Sequence, residues 1–237
     1  MSLGHGASIV TSGLSLCLDA GNTKSYPGSG TAWTDLVNKI PFASQGTTQT
    51  PYGVVGGAQA FTFNNSGFWE STSGHAAVDL GGDCTVILWL YGADVTTRTT
   101  LFEKAGTTNF SYQQELAMTL ETNEAFTYFS RLSPDYDFGS TSTLDIGAWS
   151  MTAIKMSSGK SATARTGFYS KNGAAWISNY TSRSNVALVA AGAIRVGSGY
   201  AGTVQNCSVG TILCYNKMLT DTEIRQNFDA YRGRYGI

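Results

Sequence analysis

The chain has 237 residues and a formal net charge of -1, with charged side chains at only 13%, against about 25% in an average globular protein. A net charge this close to zero supplies no long-range field to gather nucleic acid or an anionic membrane, so neither is expected as a partner. No apolar run reaches the roughly 18 residues of a membrane helix, and residues 1–18 lack the basic start and unbroken apolar stretch of a secretory signal. Synthesis in the cytoplasm is therefore expected.

The cysteines at 17, 84, 207 and 214 are too few and too scattered for a disulfide scaffold, and no C-x-x-C pair offers a zinc site. Four buried thiols are expected. One all-β sandwich accommodates a chain of this length, so residues 1–237 are read as one domain, with 1–12 as an N-terminal arm.

In chain order, Leu14, Leu16 and Leu18 alternate with Ser15 and Cys17 as a first strand. Residues 19–31 then form a long loop dense in glycine, asparagine and proline. Asp19, Asn22 and Asp35 are expected to hold that loop through hydrogen bonds to its own backbone. Residues 45–57, rich in Thr, Gly and Gln, read as turns, and 58–63 as a strand with Phe61 and Phe63 turned to the core.

Residues 83–91 are the most apolar segment, with Val86, Leu88 and Leu90 on one side and Ile87, Trp89 and Tyr91 on the other. Apolar positions on both faces place this strand in the middle of the sandwich. Strands follow at 99–104, 111–121, 125–132 and 149–156. The runs 164–169 and 174–178 pair across Lys171-Asn172-Gly173, because Asn-Gly supplies the two positive φ angles of a tight hairpin turn.

Short strands at 186–190 and 193–196 lead to the last one, 205–215. There Cys207, Val209, Leu213 and Tyr215 share one parity, Ile212 and Cys214 the other, which suits a central strand covered on both faces. Thr220 and Glu223 form a capping box that starts a helix at about Asp221. Ile224, Phe228 and Tyr231 make its apolar side, and Gly233 is expected to end it.

The two ends carry a resemblance. Tyr215-Asn216-Lys217-x-Leu219-Thr220, Glu223-Ile224 and the closing Tyr231-Arg-Gly-Arg-Tyr-Gly236 look like the C-terminal signature of concanavalin A-like (laminin-G-like) jelly-roll domains in tailed-phage virion proteins. The opening, with Leu14, Leu16, Leu18, Asp19, Gly21, Asn22, Tyr26, Pro27, Gly28, Trp33 and Asp35 in order, is similar to the start of the same proteins.

The resemblance implies an all-β, concanavalin A-like two-sheet antiparallel β-sandwich with one short C-terminal helix. It further implies a non-enzymatic virion structural protein, a decoration, knob or fibre subunit, that self-associates as a homo-oligomer. Its partners would be other virion proteins and a host surface glycan. A lectin-like receptor-recognition module is the alternative, and a glycoside hydrolase the least favoured reading.

The residues themselves argue against catalysis. Sandwich glycosidases present Glu-x-Asp-x-x-Glu on one strand, so that alternation aims all three carboxylates into a cleft; no glutamate here has an aspartate two residues later. No G-x-S-x-G elbow occurs, and His5 and His75 are the only histidines. The sequence Gly197-Ser-Gly-Tyr-Ala-Gly202 matches a nucleotide fingerprint in letters only, since strand residues, not a helix, follow it.

Sugar binding needs an aromatic ring for a pyranose face and fixed carboxylates or amides for its hydroxyls. Two stretches read as loops offer these, Phe68-Trp69-Glu70 and Asp135-Tyr136-Asp137-Phe138. Trp69, Glu70, Asp135, Tyr136 and Asp137 are thus the candidate carbohydrate ligands, set against the ordinary reading of such rings as core. Asp135 and Asp137 are also the candidate ligands of a Ca²⁺ ion, a hard cation that takes clustered carboxylates. The related phage proteins often carry acids after the Phe-x-Phe strand, where this chain has Asn64-Asn65-Ser66.

Overall fold

The apolar run at residues 83–91 does form a central strand, in a structure, a computed structural model, that describes residues 7–47, 49–64, 67–92, 99–105, 114–120, 125–131, 137–157, 166–181, 192–199, 202–203 and 206–237. The first strands are β1 Leu14–Asp19, β2 Ala32–Thr34, β3 Pro41–Gly46, β4 Tyr52–Val55, β5 Ala58–Phe63 and β6 Gly67–Ser71. Then come β7 Cys84–Tyr91, β8 Thr99–Ala105, β9 Gln114–Leu120, β10 Ala125–Arg131, β11 Asp137–Thr143 and β12 Trp149–Met156. The last are β13 Thr166–Lys171, β14 Ile177–Thr181, β15 Ile194–Val196, β16 Ser198–Gly199, β17 Gly202–Thr203 and β18 Cys207–Tyr215, followed by helix α1 Asp221–Tyr235. The strand expected at 186–190 lies outside the described residues.

One sheet runs β14-β13-β12-β7-β18-β5-β4 with β1 also on β18, and the other runs β11-β10-β9-β8-β15-β6-β3-β2. Neighbouring strands pair antiparallel throughout both sheets. This is the two-sheet antiparallel sandwich with a single C-terminal helix that the sequence predicts. Strand β18 is central as expected: β7 runs along one side, while β5 and β1 share the other, β5 on Cys207 to Val209 and β1 on Thr211 to Tyr215.

The two faces of β7 have different partners. Val86, Leu88 and Leu90 enter the core between the sheets with Phe61, Phe63, Trp69, Phe102 and Met118. Ile87 and Trp89 face the other way, into a second apolar layer where Leu213, Tyr215, Ile224, Phe228 and Tyr235 pack. Trp89 stacks on Tyr235 with ring centroids 4.5 Å apart.

The simple alternation expected for β18 fails in its middle. Cys207 and Val209 share the inter-sheet core with Ile212 and Cys214, while Leu213 and Tyr215 face the helix. The register against β7 shifts between Val209 and Thr211; the bulge inserts one residue and exchanges the faces. Gly210 sits at this bulge for a steric reason as well, since a Cβ there would fall 2.5 Å from the Tyr235 hydroxyl, which is held on Thr211 Oγ1 at 2.6 Å. Gly210→Ala is accordingly expected to destabilise the protein by about 1–3 kcal/mol by overpacking, read as a lowered urea midpoint with an unchanged m-value.

Helix α1 begins where predicted. Thr220 Oγ1 accepts from the Glu223 amide at 3.2 Å, and Glu223 Oε2 accepts from the Thr220 amide at 2.9 Å. It ends later than predicted, at Gly236 with φ 72° instead of Gly233. The extra turn brings Arg234 and Tyr235 to β1 and β18. Asn172 (φ 51°) and Gly173 (φ 70°) make the predicted turn between β13 and β14, with the Ala174 amide donating to Lys171 O at 3.0 Å.

Part of the N-terminal arm is packed. Val10 is buried, and its amide donates to Asn227 Oδ1 at 2.9 Å. The four cysteines are buried free thiols, and burial pushes the Cys17 and Cys207 thiols up to about 12. Three sequence expectations are corrected: residues 45–57 contain all of β4 and the end of β3, residues 68–70 lie within β6, and Asp137 opens β11.

Candidate functional site

The first loop is built by the acids predicted to build it. Asp19 Oδ1 accepts from the Gly21 amide at 2.9 Å, and Asn22 Oδ1 from the Lys24 amide at 3.0 Å. Asp35, fully buried, accepts from the amides of Cys17 (2.7 Å), Val37 (3.1 Å) and Asn38 (2.6 Å). The far end of the chain adds a tie: Arg234 Nη1 donates to both Asp19 oxygens, at 2.6 and 2.8 Å.

This scaffold places Tyr26. Its amide closes a turn onto Asn22 O at 2.9 Å, and its buried ring packs edge-on against Tyr52 (4.7 Å between centroids) and Phe61 (4.8 Å). Its hydroxyl donates to Gly30 O at 3.0 Å, and the Tyr52 hydroxyl donates to Ala20 O at 3.0 Å. Both phenols are raised above their ordinary range, chiefly by burial, and remain neutral.

Between residues 26–30 of this loop and residues 49–52, just before and into β4, lies a cleft of about 280 Å³. That is near the lower end of the ~300–1,000 Å³ typical of small-ligand sites. Half-buried Tyr52 provides apolar wall, while exposed Ser29 and Gln49 provide polar rim. The Gln49 amide nitrogen donates to Gly30 O, which ties the two rims together. The Thr50 hydroxyl beside them is buried with no hydrogen-bond partner among the described residues.

Of the residues proposed from sequence, Trp69, Glu70 and Asp137 are placed elsewhere. Trp69 is wholly buried, edge-on to Tyr26 and Trp33 at 5.9 Å and tilted on Phe61 at 4.9 Å. Its position as a sugar platform is therefore corrected: strand alternation turns the ring inward, and no face is left for a ligand. Glu70 points outward, half-buried, and pairs with Arg195 of β15. The Arg195 guanidinium lies 5.4 Å from the centre of the Phe68 ring.

Asp135 and Tyr136 lie outside the described residues. Asp137 is paired with Phe129, and the register continues through Ala117, Glu103 and Arg195 to Glu70. Asp137 and Glu70 thus share one transverse row of the second sheet but are five strand steps apart, about 24 Å at ~4.8 Å per step. That distance keeps Asp137 and Glu70 from gripping one sugar ring. Among the described residues, no three His, Cys, Asp or Glu side chains group in a way that would hold a metal ion.

The sequence reading missed Tyr26, Gln49 and Tyr52 as a group. The available signal was a tyrosine inside each of two glycine- and threonine-rich segments. Nothing local showed that the two segments meet.

No family model matches the chain, and no curated protein matches it. Solved structures do match in fold. Trypanosoma rangeli sialidase superposes with a TM-score of 0.67 at 15% identity, over 99% of this chain and 35% of the sialidase. The chain thus spans about a third of the length of that enzyme.

Domain 4 of AbnA, a GH43 extracellular arabinanase from Geobacillus stearothermophilus, in complex with arabinotriose, gives 0.66 at 15% identity, over 91% of this chain and 98% of the domain. The binding domain of botulinum neurotoxin DC, in complex with SialylT, gives 0.63 at 12% identity, over 91% of this chain and 51% of that one. At these identities the likeness establishes the β-sandwich fold. A phage virion protein is not among these relatives.

Proposed function

We propose that the chain is a carbohydrate-binding module whose site is the cleft between residues 26–30 and 49–52. The observation that carries this reading is the combination in one concavity of a tyrosine wall with a rim of amide, hydroxyl and peptide groups. An apolar ring suits the C–H face of a sugar, and the rim suits its hydroxyls. The arabinotriose and SialylT complexes of two structural relatives support the same class of ligand.

Binding without cleavage is proposed because, among the described residues, no carboxylate, histidine or cysteine lines the cleft. A glycosidic bond held there meets no carboxylic acid, and both tyrosine hydroxyls are neutral and already donate to backbone carbonyls. Ca²⁺ at Asp135 and Asp137 is a separate proposal, tested by calcium titration of the purified protein.

The resemblance to phage proteins rests on residues with structural duties. Asp19, Asp35, Tyr215 and Glu223 anchor β1, the first loop, the N-terminal arm and α1, so they support the fold more than any one use of it. Display on a virion as a homo-oligomer is compatible with a glycan-binding cleft, and the mass of the protein in solution tests the self-association.

The cleft reading is tested by a glycan array followed by calorimetric titration of the best glycan. Gln49→Ala is expected to weaken binding about fivefold, the effect of one hydrogen bond of about 1 kcal/mol. Because Gln49 is exposed, its melting temperature should stay that of the parent. Unaltered affinity in this variant and in Ser29→Trp, which fills the rim, would move the site elsewhere.

A further inference from the structure

We propose that the cleft selects uncharged oligosaccharides, of pentose or hexose units, over sialylated or otherwise anionic ones. This inference rests on the cleft being the glycan site.

Electrostatics and hydrogen-bond capacity both point this way. Among the described residues, no lysine, arginine or histidine lines the cleft. Arg234, which reaches the same loop from α1, is committed to both oxygens of Asp19. The Asp19 carboxylate lies behind the Ala20 carbonyl that holds Tyr52, and its charge adds to burial in raising the Tyr52 phenol. A ligand carboxylate entering the cleft would lose water and find no cation among the described lining residues.

The neutral groups suit hydroxyls instead. Both tyrosine hydroxyls already donate to backbone carbonyls, and the half-buried Tyr52 ring offers surface more than charge. Gly30 O accepts from both Tyr26 and Gln49, which fixes the Gln49 amide with its oxygen available to accept from a sugar hydroxyl. Ser29 and the exposed peptide groups of the glycine-rich rim complete a donor and acceptor set of no net charge.

The test is a set of matched probes, lactose against sialyllactose and arabinotriose as a pentose, titrated into the full chain and its Gln49→Ala, Gln49→Arg and Ser29→Trp variants. The expected result is a neutral ligand bound at least about tenfold more tightly than its sialylated partner, weakened in Gln49→Ala. The preference should narrow or reverse in Gln49→Arg. Sialyllactose bound as well as or better than lactose, with the same loss in Gln49→Ala, would overturn the neutral selectivity and leave the cleft as the glycan site. Failure to bind every probe, or binding indifferent to Gln49→Ala and Ser29→Trp, would overturn the cleft reading and this inference with it.

Discussion

Trp69→Ala is expected to destabilise the protein by about 3–5 kcal/mol, the range for removing a large aromatic side chain from a core. For a chain of this size that is a fall in melting temperature on the order of 10 °C. Trp69 touches Tyr26, Trp33 and Phe61 and is fully buried, so alanine leaves a cavity under the wall of the cleft. Trp69→Phe should cost much less, because the indole N–H has no acceptor among the described residues and little hydrogen bonding is lost.

The contrast with a surface platform is direct. A tryptophan that stacks on sugar from outside loses binding on truncation and keeps its melting temperature. A change under about 2 °C in Trp69→Ala, measured by calorimetry, would contradict the buried placement.

The second large effect is expected at Asp35. Its two oxygens hold three amides, from β1 and from the turn that follows β2. Hydrogen bonds to a charged group are worth about 1.5–3 kcal/mol each, and a buried donor left without one costs about as much. Water re-solvates the amides nearer the surface, so Asp35→Ala should cost about 3–4 kcal/mol in urea unfolding. Asp35→Asn keeps one acceptor oxygen and turns a donor towards the remaining amide, so about half the loss is expected. A cost below about 1 kcal/mol for Asp35→Ala would show that the loop stands without this acid.

The strands and helix that were legible in the sequence are those whose local chemistry and tertiary role agree. Residues 83–91 are apolar on both faces because the strand is covered on both. Thr220 and Glu223 announce the start of α1, and Asn172-Gly173 announces its turn, since each motif satisfies its own geometry. Where tertiary packing decides, the reading failed. Nothing before Gly210 shows that the β18 pattern will change faces there; the bulge is explained by the approach of Tyr235 from the helix. Gly233 looked like a helix end, yet the last turn is held by Arg234 on Asp19 and Tyr235 on Thr211, ties to strands far away in sequence.

Trp69 and Glu70 illustrate the limit for sites. Short flanking segments rich in Asn, Ser and Gly made residues 68–70 look like a loop, but sheet pairing with β3 and β15 makes them a strand that sends Trp69 in and Glu70 out. The cleft is less visible still. Its halves lie on either side of β2 and β3 in sequence, and they meet because β1, β18, β5 and β4 are neighbours in one sheet.

The most direct test of the cleft is a ¹⁵N-resolved NMR titration of the full chain with the neutral oligosaccharide that the array ranks highest. The account predicts saturable shift changes concentrated in residues 26–30 and 49–52. Changes centred instead on Phe68, Glu70 and Arg195, or none at saturating sugar, would contradict it.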